Sequence, residues 1–252
     1  MARLLEGKVA IVTGGGRGLG KAYCLKMAEE GAKVVVADIL EGEPIEVVSE
    51  IKAKGGTAIA VKTDITSEAD AQRLADKTVQ EFGRIDVLVN NAGYYFGVAR
   101  KPLNEISSQE WDQAMLLNAK GTWICCKAVY PQMKKQGKGK IINAASDVVF
   151  APTKRMVHYV ASKAAVIGIT RSLAGELGEF GICVNTIAPG LVDTEASRSW
   201  VPDIDRYDVS TIPMGRLGLP QDVVGAVLFF ASDHSDYISG QTLIVDGARR
   251  VN

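Results

Sequence analysis

Seven short runs of β-branched and aliphatic residues recur along the chain: KVAIVT (8–13), KVVVAD (33–38), TAIAVK (57–62), IDVLVN (85–90), KIINAAS (140–146), ICVNTIA (182–188) and TLIVDG (242–247). Most are almost continuously apolar, the pattern of strands covered on both faces. Between them lie longer stretches at helical spacing, such as GKAYCLKMAEEG and EADAQRLADKTVQEFG, each ending on a helix-stopping glycine. Strand–helix alternation of this kind predicts an α/β fold: one doubly wound domain over 1–252, with a seven-stranded, mostly parallel sheet and helices on both faces. No interior linker and no repeat of fixed period interrupts it. The longest stretch without regular pattern, about 191–219, reads as a lid over a ligand, with Trp200, Tyr207 and Met214 as its apolar cover. A surface excursion packed by its own aromatics is the alternative.

Composition removes several classes of function. Lysine plus arginine and aspartate plus glutamate number 29 each, so no bulk field favours nucleic acid or an anionic membrane. The longest uncharged apolar run, VVGAVLFFA at 223–231, is too short to span a bilayer, and the first residues lack the pattern of a signal peptide. Cys24, Cys125, Cys126 and Cys183 show no C-x-x-C spacing and sit inside apolar patterns, as reduced core residues of a cytoplasmic protein do. His158 and His234 are the only histidines, too few for a histidine-rich metal site, and no metal is expected.

TGGGRGLG (13–20) directly follows the first strand and opens the first helix. Gly14, Gly18 and Gly20 permit a tight turn and close approach of backbone to ligand, and the helix N-terminus offers free N–H groups to a pyrophosphate. The placement is that of a Rossmann-type dinucleotide site. The next strand ends in Asp38, about twenty residues beyond Gly18, where a carboxylate hydrogen-bonds a ribose 2′-hydroxyl and repels a 2′-phosphate. That favours NAD over NADP. Arg17 argues the other way, since a guanidinium in this turn can grip a 2′-phosphate.

Tyr159 and Lys163, in YVASK, lie four residues apart and share one helix face. Tyr130 and Lys134 repeat that spacing, so the pair alone decides nothing. Context separates them: Ser146 stands thirteen residues before Tyr159, whereas the same offset from Tyr130 gives Leu117, and Tyr130 precedes Pro131 in a lysine-rich, solvated helix end.

With those residues in view the chain resembles the short-chain dehydrogenase/reductase family over essentially its whole length. The motifs, in order, are TG-x-x-x-G-x-G at Thr13–Gly20, NNAG at Asn90–Gly93, N-x-x-G at Asn118–Gly121, Ser146, Tyr159 with Lys163, and PG-x-x-x-T at Pro189–Thr194. The resemblance implies hydride transfer between a nicotinamide and a carbinol carbon, with Tyr159 as general base. A free tyrosine, pKa near 10, is only about 0.1% ionised at neutral pH, so the positive charge of Lys163 and of oxidised nicotinamide is expected to lower it; ~3 units correspond to ~4 kcal/mol. Ser146 would hold the substrate oxygen and Asn118 a water linking Lys163 to solvent. The implied coenzyme contacts are Gly14, Arg17, Gly18, Leu19, Asp38, Asp64, Ile65, Asn91, Ala92, Gly93, Tyr159, Lys163, Pro189, Gly190, Val192 and Thr194. Asn90 would support the sheet beside the adenosine, and Ile187 would border the nicotinamide.

His158 lies about 100° around the helix from Tyr159 and reads as a half-exposed neutral residue rather than the base. The apolar loops YYFGV (94–98) and DVVF (147–150), with Met156 and Trp200, suit a hydrophobic alcohol or ketone; Lys154 and Arg155 at the rim leave an acidic or carrier-bound substrate open. An NAD-dependent secondary-alcohol dehydrogenase is the first reading. An NADPH-dependent 3-oxoacyl-type ketoreductase and a non-catalytic dinucleotide sensor or scaffold are the others. The family is commonly tetrameric, so a homotetramer is expected, with WICCKAVY and AAVIGITRSLAGEL as packing faces and the C-terminal LIVDGARRVN reaching a neighbour.

Overall fold

The computed structural model describes residues 3–250 except Phe96, Gly97, Ala99 and Pro202; of Trp200 the backbone alone is described. Seven strands form one sheet: β1 (Val9–Thr13), β2 (Lys33–Asp38), β3 (Thr57–Lys62), β4 (Val87–Asn90), β5 (Gly139–Ala144), β6 (Ile182–Pro189) and β7 (Thr242–Val245). Their order is β3-β2-β1-β4-β5-β6-β7 and every pairing is parallel, so the sheet is wholly rather than mostly parallel. The chain reverses its winding between β1 and β4, which opens a crevice at the carboxyl ends of those strands.

Alternation along each strand feeds two cores. Ala10, Val12, Val34, Val36, Val87 and Val89 face α1 (Gly18–Glu29), α2 (Gly42–Ala53) and α8 (Pro220–Ala231). Ile11, Val35, Leu88, Ile141 and Val184 face α3 (Glu68–Phe82), α5 (Gly121–Gln136) and the far end of α6 (Val157–Leu177). Helix ends follow local chemistry. Ser67 Oγ accepts from the Asp70 N–H to start α3, and Gly83 in the left-handed region stops it. Ser107 and Glu110 form a reciprocal capping box on α4 (Ser108–Ala114). Between α4 and α5 the chain widens into a π-helical segment, Met115–Lys120.

The stretch 191–219, expected to lack regular structure, holds a short helix, α7 (Glu195–Trp200), and a 3-10 turn at Ile204–Arg206, and Val192 bridges to Gly218 at its neck. Strand ends also moved: β5 stops at Ala144, two residues short of Ser146, because Ser146 turns away to start a 3-10 turn over Asp147–Phe150. Opposite the crevice, at the amino ends of the strands, Lys8, Lys138 and Lys140 pair with Asp233 and Asp236 at 2.8–2.9 Å. All four cysteines are free and buried. Among the described residues no helix is long and apolar enough to cross a membrane, and no group of three potential metal ligands occurs.

Candidate active site

Thr13, the last residue of β1, organises the phosphate-binding turn. Its Oγ1 donates to the Val89 carbonyl and accepts from the Asn91 and Ala92 N–H groups, both at 3.1 Å. Asn91 Nδ2 then donates to the carbonyls of Thr13 and Gly14, each at 3.1 Å. The NNAG motif is thus a clamp that holds the glycine turn against β4. Helix α1 enters so closely that a Cβ on Gly20 would lie 1.9 Å from the Gly14 oxygen, so only glycine fits. No side chain caps α1, and its first N–H groups open on the crevice.

The crevice holds about 300 Å³ and runs the length of the switch point. At one end stands Asp38, buried, with Oδ2 accepting from Gly16 N at 2.9 Å and Oδ1 from Leu40 N at 3.1 Å. Arg17, Gly14, Gly18 and Leu19 line the turn beside it, and Asp64 and Ile65 the wall above β3. Asn91, Ala92, Gly93, Pro189, Gly190, Val192 and Thr194 line the middle. Asp64 also accepts from Thr66 through both its N–H and its hydroxyl, at 2.8 and 2.7 Å, and Ser67, not Asp64, caps α3. Thr194 caps α7, accepting from Ser197 N at 3.2 Å.

At the other end Ser146, Tyr159 and Lys163 share one wall. The Ser146 side chain acts on the Tyr159 phenol in the direction that favours its ionised form. Lys163 Nζ lies 5.9 Å from the Tyr159 ring centroid and donates to the Ala144 carbonyl at 2.9 Å. Asn118 does not line the crevice. Its Oδ1 accepts from Tyr94 N and its Nδ2 donates to Ser162 Oγ, both at 2.8 Å, and Ser162 donates in turn to the Tyr159 carbonyl. In this structure its side chain fastens the Tyr94 loop to the helix that carries Tyr159.

Electrostatics depart from the sequence expectation. Burial pushes the Tyr159 phenol well above its ordinary value, and neighbouring Tyr95 pushes the same way; the Ser146 side chain only partly opposes them. Burial lowers Lys163 from 10.5 to about 8. The expected downward tuning of the phenol by Lys163 is therefore not made by the chain alone. The lysine is spent on the Ala144 carbonyl, and both groups are desolvated.

Other expectations are corrected too. His158 is buried, at 1% exposure, not half-exposed; α4 closes over it near Lys101 and Glu110, burial lowers its pKa, and its Nδ1 has no partner among the described residues. Ile187 is fully buried in the sheet and does not border the crevice. Asn90 supports the sheet as expected, its Nδ2 donating to Asn143 Oδ1 at 2.9 Å. Met156 is consumed in packing beneath Tyr159 with Tyr94 and Val98, whereas Tyr95 sits edge-on to Tyr159, centroids 6.1 Å apart, and lines the crevice. Phe96 and the Trp200 side chain lie outside the described residues. Tyr130 and Lys134 form a surface stack, Nζ 5.5 Å from the ring, away from any crevice residue.

A family model described as enoyl-(acyl carrier protein) reductase matches residues 14–248. The chain is 42% identical over 246 residues to a 2-dehydro-3-deoxy-D-gluconate 5-dehydrogenase of Dickeya dadantii, covering 96% of this chain and 95% of that protein. It is 39% identical over 241 residues to a 3-oxoacyl-(acyl-carrier-protein) reductase of Staphylococcus aureus, covering 95% and 97%. Its fold superposes on 7α-hydroxysteroid dehydrogenase complexed with NADH and 7-oxo glycochenodeoxycholic acid at TM-score 0.93, with 38% identity over 100% of this chain and 98% of that one.

Proposed function

The chain belongs to the short-chain dehydrogenase/reductase family, and from that premise we propose that it is an NAD(H)-dependent oxidoreductase acting on a secondary alcohol or its ketone. One observation carries the reading. The hydroxyls of Ser146 and Tyr159, with the Lys163 ammonium on the same wall, stand at one end of a crevice whose other end holds a buried carboxylate, Asp38.

The residues present fit a nicotinamide dinucleotide: uncapped N–H groups at α1 face a pyrophosphate, and Asp38 meets a ribose diol. Bound there, the coenzyme supplies the hydride acceptor. Ser146 Oγ would hold the carbinol oxygen and Tyr159 Oη would take its proton as the alcohol is oxidised to the ketone, that proton passing on to solvent. In reverse, the phenol donates that proton, and burial keeps it protonated for the purpose. Lys163 supplies positive charge beside the phenol and a donor toward the nicotinamide ribose.

Asp38 supports NAD, because a 2′-phosphate at contact distance would cost on the order of 4 kcal/mol at an effective dielectric of ~20. Arg17 on the same lining, with a 3-oxoacyl reductase among the relatives, supports the second reading, an NADPH-dependent ketoreductase. A non-catalytic dinucleotide sensor has no use for a buried phenol and ammonium side by side. We further place the enzyme in a reducing, cytoplasmic setting, in keeping with its four free cysteines, and as a homotetramer, since Trp111, Leu116 and Trp123 stay about 40% exposed along α4, the π-helical segment and α5.

Tyr159→Phe is expected to keep NADH binding, followed by fluorescence, while alcohol oxidation falls by roughly 10²–10⁴-fold. Undiminished turnover in that variant defeats the mechanism.

A further inference from the structure

A second cavity, about 370 Å³, lies apart from the crevice and shares no lining residue with it. The turn after β7 forms one side, and both ends of the 191–219 stretch, Leu191 and Met214 among them, form the other. Ile212, Val223 and Ile244 add apolar lining.

The charged lining is Arg216, Asp222, Asp246, Arg249 and Arg250. Arg216 and Asp222 neutralise each other in a bidentate pair at 2.6 and 2.8 Å. That leaves two guanidinium groups against one carboxylate, and among the described residues neither Arg249 nor Arg250 makes an ion pair. The Arg249 N–H donates to the Asp246 carbonyl at 3.4 Å and closes a turn, which Arg250 directly follows. Both guanidinium groups are held in place. Arg249 Nη2 donates to the Tyr207 hydroxyl at 3.3 Å, and Arg250 Nη1 to the Arg249 carbonyl at 3.0 Å. Yet Arg249 Nε, Arg250 Nε and Asp246 Oδ2 are buried without a hydrogen-bond partner. Buried donors and acceptors left this way cost free energy unless a ligand meets them.

These three atoms define the ligand that meets them. Two guanidinium N–H donors call for an oxyanion. A carboxylate oxygen only accepts, so the same ligand must also carry a donor. An oxyanion that keeps one hydrogen offers both, and a fully ionised one does not. Phosphomonoesters have a second pKa of about 6, so near that pH a large share keep a P–OH, whereas sulfate keeps none.

We propose that this cavity binds a phosphate group, free or as a small monoester, with Arg249 Nε and Arg250 Nε donating to its ionised oxygens and Asp246 Oδ2 accepting from its P–OH. The apolar lining suits the organic part of a monoester. The site is separate from the uncapped N–H groups of α1, which face the other space.

The test is isothermal titration calorimetry at about pH 6 on protein saturated with NADH, so that the crevice is already filled. The probes are inorganic phosphate, propyl phosphate and sulfate. Phosphate is expected to bind once per chain, roughly tenfold or more tighter than sulfate. Tighter binding of propyl phosphate than of phosphate assigns the site to monoesters, and the reverse order assigns it to the free ion. Arg249→Gln and Arg250→Gln should each weaken phosphate roughly 10- to 100-fold. Asp246→Asn puts an N–H donor where the acceptor stood and should reverse the order, so that sulfate binds better than phosphate. That gain is one a misfolded variant cannot show. Absence of phosphate binding in wild type, or sulfate bound as tightly as phosphate, overturns the proposal. So does phosphate affinity unchanged by both arginine substitutions, or a selectivity unmoved in Asp246→Asn. A smaller sedimentation coefficient in the arginine variants makes those residues subunit contacts and overturns it as well.

Discussion

Lys163 bears an energetic burden that its position imposes. Its pKa drops to about 8 because burial disfavours the ammonium. A lysine lowered on folding penalises the native state in full below about pH 8, and the penalty is relieved as pH rises toward 10.5; the gap corresponds to roughly 3 kcal/mol. In the unliganded enzyme the melting temperature of wild type relative to Lys163→Met should therefore climb between pH 7 and pH 10, measured calorimetrically; a difference that stays flat contradicts the burial argument. Asp38→Asn keeps an acceptor for Gly16 N while removing charge, and should move the kcat/KM ratio of NADP over NAD upward by about tenfold or more. Ala248 sits at φ 67°, a region favouring glycine, so Ala248→Gly should raise the melting temperature by about 2 °C. Tyr159, Lys163 and Asp38 were legible in the sequence because their spacing and strand-end placement are one-dimensional facts. The edge-on contact of Tyr95 with Tyr159 and the burial of His158 were not, since each depends on which distant segment packs against it.

At the level of elements, a buried polar row fixes how three strands align below the reaction centre. Asn90 on β4 registers with Asn143 on β5, and Asn143 with Thr186 on β6. Asn143 Nδ2 donates to Thr170 Oγ1 of α6 at 2.9 Å, and Thr186 Oγ1 donates to the same hydroxyl at 2.7 Å. Apolar strands buried on both faces carry little information about register, so a polar pin supplies it and ties the helix bearing Tyr159 and Lys163 to the sheet. Asn143→Leu keeps the branched shape yet removes the Oδ1 acceptor of the Asn90 amide and the donor to Thr170, at a cost of about 2–4 kcal/mol. Urea unfolding should show the midpoint falling at unchanged m-value; an unshifted midpoint removes the pin from the account. Strand identities were readable from β-branched runs, but this row was not, because NN and INA look alike whether their side chains meet or not. The regular structure within 191–219 was missed for a related reason. Thr194 and Ser197 nucleate α7 by capping, a local signal too short to register against thirty irregular residues.

For the molecule as a whole, coenzyme binding and folding are one equilibrium. The crevice is built from the ends of six strands, so a ligand that bridges them binds only the folded chain. NADH at 100 times its dissociation constant should add about 2.7 kcal/mol, a rise of roughly 5–10 °C in melting temperature. NADPH at the same concentration should raise it less, and the reverse ranking would favour the ketoreductase reading. Parallel winding also separates the two rims of the sheet completely. Every residue of the crevice belongs to the carboxyl rim, while Lys8, Lys138 and Lys140, paired with Asp233 and Asp236, crown the other. Lys138 remains about half exposed there. A resin, an electrode or a fused partner joined to the chain at that lysine would orient each immobilised molecule with its mouth toward the bulk medium.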